Sequence, residues 1–371
     1  MSRGGRLRLG LIGFGHVNRA LARLLLGTRC EIEKRHALTY RVTLVATARR
    51  GAWVEPAGID LEKTLREGWE GGIPALDAIR AAPLDLVFEA TPLEPRTGEP
   101  ATSHLRAALG RGVSVVSANK GPIALAAREL YALARKTGAG LRFESAVADC
   151  MPVFDLVEVA VPVGRVTAFH GVLNSTSNHV LQAVARGESA ESAIEEMRRR
   201  GFAEADPSHD LDGWDQVVKA VILANVLLGR DLTPADVERV GLAQVDASWL
   251  QAERRAGRSV RLTASGGLDG PVRVGPESLD PGSFLASLSG TSLGLALETD
   301  LAGTIEVASV EAGVEQTAYG MLSDLIAIHH GRRIVPSPLD PGPAPAGARR
   351  RSPARRRAGR PAVLVRRRRE V

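Results

Sequence analysis

Leu7-Arg8-Leu9-Gly10-Leu11-Ile12, then Gly13-Phe14-Gly15-His16-Val17-Asn18, then Arg19 to Leu26: this run decides the fold. The first six residues read as a short, mostly apolar strand, and the last eight have helical periodicity. Strand, glycine-rich turn and helix in that order form the context of a dinucleotide site. Gly13 permits the tight turn, and Gly15 lets the backbone approach a pyrophosphate. The helix start at His16 and Val17 offers N–H groups and a favourable dipole to that anion. Asn18 stands where the fingerprint has its third glycine, so a structural turn that binds nothing remains the alternative.

Working outward, strands are expected at Val42 to Ala46, Leu84 to Ala90, Val113 to Ser117 and Leu141 to Glu144. Helices are expected at Thr102 to Arg111 and Ile123 to Thr137. This alternation predicts an α/β fold, a Rossmann-type doubly wound parallel sheet. Ligands of such sheets bind outside the carboxyl ends of the strands. Thr91 and Ser117-Ala118-Asn119-Lys120 stand at two of those ends. After the second strand, Thr47-Ala48-Arg49-Arg50 supplies no carboxylate for a ribose 2′-hydroxyl. Arg49 and Arg50 suit a 2′-phosphate, which favours NADP over NAD; two solvated loop arginines are the bland reading.

Composition sets the bounds. The 371 residues, 44% hydrophobic and 24% charged, suit two or three globular domains. No run of 18 apolar residues occurs, so no membrane-spanning helix is expected. Cys30 and Cys150 cannot build a disulfide framework, and with no secretory leader at the start a cytoplasmic setting is expected. Of the net charge of +6, residues 336–371 alone contribute +9, from eleven arginines against Asp340 and Glu370. The body is therefore net −3, and the high pI belongs to a Pro/Ala/Arg-rich tail too poor in apolar residues to fold alone. Nucleic acid is not expected as a partner except through that tail. Only five of the 48 cationic residues are lysines: Lys34, Lys63, Lys120, Lys136 and Lys219. Arginine cannot release its proton at working pH and a desolvated lysine can, so a lysine inside a polar motif is a candidate for chemistry.

The pattern changes after Glu144. Val153 to Val163 reads as β-rich, and Ala168 to Leu173 runs into Asn174-Ser175-Thr176-Ser177-Asn178 before a helix at His179 to Ala185. Those five polar residues supply N-cap groups and present hydroxyls and amides to a small polar substrate. The densest chemistry is the segment from Gly201 to Lys219, with five carboxylates in twelve residues. A helix starting at Asp212 or Gly213 and ending near Gly229 puts Asp215 and Lys219 on one face. Its other positions are apolar nearly all round, so the ion pair is desolvated. A structural pair, or a divalent-cation loop on Asp210 and Asp212, are the alternatives.

These pieces together resemble homoserine dehydrogenase. The matching blocks are Gly13-Phe14-Gly15-His16-Val17, Ala118-Asn119-Lys120-Gly121-Pro122, Gly171 to Asn178, Ala203 to Lys219, and Gly313-Val314-Glu315-Gln316-Thr317-Ala318. The resemblance spans residues 7–330 and is to the short, monofunctional form. It implies NAD(P)-dependent interconversion of L-aspartate 4-semialdehyde and L-homoserine. It further implies that Lys219 serves proton transfer with Asp215 beside it and that Lys120 lies near cofactor and substrate. Thr176, Glu204 and Asp210 would hold the amino acid, and Gly313 would stand with the cofactor residues. Glu144, Val147, Asp149 and Met151 mark where family members hold a monovalent cation (Na or K), mostly through backbone oxygens; here Asp149 and Cys150 interrupt a stretch that is commonly glycine-rich. A homodimer is expected from the resemblance.

The implied organisation is a nucleotide-binding domain over 1–146 and an α+β substrate and dimerisation domain over 147–316. A helix over 317–335 then returns to the first domain, and a tail follows over 336–371. Two rivals remain. An acylating aldehyde dehydrogenase would need Cys150 as a thiolate, which the neighbouring Asp149 opposes. A catalytically silent NADP sensor would leave Lys120, Asp215 and Lys219 without a task.

Overall fold

The computed structural model describes residues 5–200, 211–310 and 313–340, and two six-stranded sheets lie among them. The first comprises β1 (Leu7–Ile12), β2 (Tyr40–Thr47), β3 (Gly51–Val54), β4 (Leu86–Glu89), β5 (Ser114–Ser117) and β6 (Leu141–Arg142). Their order is β3-β2-β1-β4-β5-β6, and all pairs are parallel except β2 with β3. The exception has a simple cause: Ala48-Arg49-Arg50 is far too short for the crossover that a parallel neighbour needs. Strand order reverses between β1 and β4, which places the crevice of this sheet at their carboxyl ends.

The second sheet comprises β7 (Val166–Val172), β8 (Val237–Arg239), β9 (Ser259–Gly267), β10 (Val272–Leu279), β11 (Leu293–Thr299) and β12 (Gly303–Ser309). It runs β12-β11-β7-β9-β10-β8, antiparallel except for β8 against β10. The Trp214–Leu228 helix packs against β9, β10 and the Lys120–Thr137 helix. Buried on every face, it joins the layers.

Val153 to Val163 is not a strand. Residues Phe154–Ala160 form a helix. The Glu144 carboxylate accepts the N–H groups of Val153, Phe154 (2.9 Å) and Asp155 (2.8 Å), occupying donors that a helix start leaves unpaired. The apolar run does not mark a buried strand either, since Val159 and Val163 are 68% and 85% exposed.

The Val314–His329 helix lies against the His16–Gly27 helix, with Met321, Leu322 and Leu325 in one cluster with Leu21 and Leu25. It is pinned by a buried arginine of β6. Arg142 Nε donates to Asp324 Oδ1 at 2.9 Å and Nη1 to Glu158 Oε2 at 3.1 Å, with Asp155 on its remaining nitrogen. Burial pushes the Asp324 carboxyl up to about 6 even with this guanidinium beside it. No described helix is long and apolar enough to cross a membrane.

Candidate active site

The glycine turn is built against the end of β4. Gly13 has φ +78°, and a Cβ there would stand 2.5 Å from Ala90 O, so only glycine fits. A Cβ at Gly15 would meet nothing within 4 Å. The helix that starts at His16 has no side-chain cap and no acidic residue in its first turn. An approaching anion therefore meets open space and unpaired N–H groups. Asn18 is a clamp rather than a damaged glycine position: fully buried, it donates to Ile12 O at 2.8 Å and Gly13 O at 3.2 Å.

Asn119 ties this crevice to the next strand. Its Nδ2 donates to Thr91 O at 2.9 Å and to Thr91 Oγ1 and Pro92 O at 3.2 Å, while its Oδ1 accepts Gly121 N–H at 3.0 Å. Asn119 is thus the N-cap of the Lys120–Thr137 helix, whose first residue is Lys120. Lys120 Nζ lies 3.2 Å from Asp215 Oδ1. From the other side, Lys219 Nζ lies 2.9 Å from Asp215 Oδ2, which also accepts Asn174 Nδ2 at 3.0 Å. Lys219 Nζ donates to Leu173 O as well. Burial alone would raise the Asp215 carboxyl; Lys120 and Lys219, with the Asn174 amide, hold it well below the ordinary carboxylate range. Contacts thus run from the glycine turn through Thr91 and Asn119 to both lysines.

The polar run at 174–178 divides. Asn174 caps the Ser175–Ala185 helix by accepting Ser177 N–H, Ser175 donates to Thr291 O, and Asn178 exchanges bonds with Leu262 of β9. Four of the five residues hold the scaffold, and the fifth, Thr176, is buried on the first turn. Glu204 and Asp210 lie outside the described residues. Among the described residues, no three His, Cys, Asp or Glu side chains gather as a metal site.

Arg49 and Arg50 are exposed in the β2–β3 turn. Arg50 Nη1 donates to Trp69 O at 2.7 Å, and Trp69 stands edge-on to Phe14 of the glycine turn. Gly313 begins the Val314–His329 helix. Near it, Asp149 has φ +55° and its carboxylate accepts the Thr317 hydroxyl at 2.6 Å. The Glu144 carboxylate is taken up in capping a helix, and Val147 and Met151 are buried apolar residues. Burial, then Asp149, pushes the Cys150 thiol up, which opposes a thiolate nucleophile.

Two contacts escape a reading of the sequence. Asn174 reaches Asp215 across 41 positions, and nothing local signals it. Glu89, fully buried at the end of β4, had a signal: an acid closing an apolar strand where ligands gather.

A glycine turn at a switch point, joined by contacts to a buried carboxylate between two amines, belongs to a Rossmann-type oxidoreductase. Residues 152–326 match the family model of homoserine dehydrogenase. The NAD(+)-dependent homoserine dehydrogenase of Pseudomonas canavaninivorans is 36% identical over 337 residues, covering 87% of this chain and 96% of that protein. The homoserine dehydrogenase of Methanocaldococcus jannaschii is 31% identical, covering 87% and 98%. Among solved structures, the homoserine dehydrogenase of Thermoplasma acidophilum superposes with a TM-score of 0.77 at 26% identity, covering 88% and 100%. A hyperthermophilic archaeal homoserine dehydrogenase in complex with NADPH gives 0.73 at 27%, covering 87% and 97%. The chain belongs to the homoserine dehydrogenase family.

Proposed function

We propose that this chain interconverts L-aspartate 4-semialdehyde and L-homoserine with a nicotinamide dinucleotide, using Lys219 for proton transfer. The observation that carries the reading is Asp215, held between Lys120 and Lys219 beside the carboxyl ends of β4 and β5. When bound, the nicotinamide supplies or takes the hydride. Gly13, Gly15 and the N–H groups at His16 and Val17 receive the pyrophosphate, with Thr91, Asn119 and Gly313 lining the rest of the crevice. Hydride delivery to an aldehyde builds negative charge on oxygen, which a positioned acid relieves. An ammonium has three donors. Asp215 Oδ2 and Leu173 O take two from Lys219, leaving the third for the substrate oxygen. In the reverse direction the same nitrogen accepts the alcohol proton. Lys120 adds a second positive charge and holds Asp215 ionised.

Thr176, Glu204 and Asp210 hold the amino acid, the carboxylates facing its ammonium. Arg49 and Arg50 favour NADP over NAD; the relatives supply precedent for both cofactors. A monovalent cation, if held, takes the backbone oxygens of Glu144, Val147, Asp149 and Met151. We place the enzyme in the cytoplasm as a homodimer, with nucleic-acid contact confined to the tail. The test is absorbance at the reduced-nicotinamide band with L-homoserine and either NADP+ or NAD+. Homoserine-dependent reduction supports the reading, and no turnover with either cofactor overturns it.

A further inference from the structure

Glu89 is fully buried at the carboxyl end of β4, and the proton-transfer account above gives it no task. Its Oε1 accepts the backbone N–H of Thr91 at 3.2 Å and also the Thr91 hydroxyl. A carboxylate accepts only, so the Thr91 hydroxyl must donate to it, and its lone pairs then face Asn119. The Asn119 amide is set by Thr91 O at 2.9 Å and by Thr91 Oγ1 and Pro92 O at 3.2 Å on Nδ2, and by Gly121 N–H at 3.0 Å on Oδ1. The opposite orientation would leave the start of the Lys120–Thr137 helix without its acceptor. His104, itself 4% exposed, lies with Nδ1 3.6 Å from Glu89 Oε1. Burying a carboxylate is costly. Glu89 pins the N–H and hydroxyl of Thr91, the residue whose carbonyl and hydroxyl oxygens both take the Asn119 amide.

We propose that Glu89 is a positioning residue for the reaction: through Thr91 and Asn119 it holds Lys120 in place against Asp215. The proposal rests on the function argued above. Its test is a double-mutant cycle with Lys120→Met, following NADP+ reduction by L-homoserine. Glu89→Ala should lower kcat about 10- to 100-fold, the scale of a misplaced reacting group, while the KM for NADP+ changes less than about 3-fold. Glu89→Gln, which keeps an oxygen for Thr91, should recover most of the loss. In the Lys120→Met background, Glu89→Ala should cost less than about 2-fold, because a pair acting as a unit is not additive. An equal loss in both backgrounds overturns the proposal and makes Glu89 merely structural. A second readout needs no turnover: the rate of Lys120 acetylation by acetic anhydride, followed by peptide mass spectrometry. It should rise several-fold in Glu89→Ala, and an unchanged rate overturns the proposal. If the wild type fails to oxidise homoserine, the function falls and the labelling still decides on Glu89. Glu89→Asp keeps the charge but shortens the reach by one methylene, and it carries the same test at a milder level should the alanine variant not fold.

Discussion

Lys219 Nζ sits 2.9 Å from an oxygen of Asp215, one turn earlier on a helix that is buried on every face. Such a pair is expensive to bury and is weak evidence for stability by itself. Its second amine, Lys120 at 3.2 Å from the other oxygen, comes from the helix that follows β5 of the first sheet. The carboxylate thus joins the layer that holds the glycine turn to the layer that holds Thr176.

The first prediction concerns pH. The folded-state pKa of Asp215 lies below its ordinary value of 3.8, so its ion pairs contribute stability above that value and lose it as pH falls below. Asp215→Asn should therefore lower Tm by a constant amount between about pH 5 and 8, with the gap to wild type narrowing below about pH 4. Thermal melts at stepped pH measure this. A gap that widens in acid would contradict the sign.

Asn18 should be a stability position before it is a binding one. Asn18→Ala removes two hydrogen bonds from a buried turn, while Ile12 O keeps the Ala90 N–H and Gly13 O keeps the Gly15 N–H. The expected loss is about 1–3 kcal/mol in urea unfolding, the net worth of two hydrogen bonds. Asn18→Gly, which restores the fingerprint on paper, should be no more stable than the alanine variant.

Cofactor choice should depend on the β2–β3 turn. Arg50 is already tied to Trp69 O, and Arg49 is exposed in the same turn. Arg49→Ala is expected to raise the KM for NADP+ by about 10-fold with little change for NAD+, the scale of one charge-assisted hydrogen bond. Equal changes for both cofactors would remove Arg49 from 2′-phosphate recognition.

The last helix should be docked by its apolar face. Leu325→Ala empties a fully buried position in the cluster shared with Leu21 and Leu25. About 2–5 kcal/mol of stability should go with it. A loss below about 1 kcal/mol would mean that this helix is not part of the cooperative unit.

Much of this was legible from local pattern. The β1–turn–helix unit, the alternation through β6 and the Asp215–Lys219 spacing need only period and neighbour chemistry. Three features were not legible, each for a non-local reason. The segment from Val153 reads as a strand because valines dominate it, yet Glu144 caps it into a helix from nine to eleven residues away. Asn174 and Lys120 converge on Asp215 only after two sheets have been laid together. The run Asn174–Asn178 looks like a substrate surface, but tertiary partners at Thr291 and Leu262 claim part of it.

The most direct measurement is the turnover of Lys219→Arg with L-homoserine, alongside its circular dichroism and its affinity for the reduced cofactor. Arginine keeps the charge beside Asp215 but cannot give up a proton at working pH. The account predicts a folded, cofactor-binding variant slowed by at least ~100-fold, the low end for general acid–base catalysis. Turnover within a few-fold of wild type would show that charge alone suffices at this position and would contradict the proton transfer assigned to it.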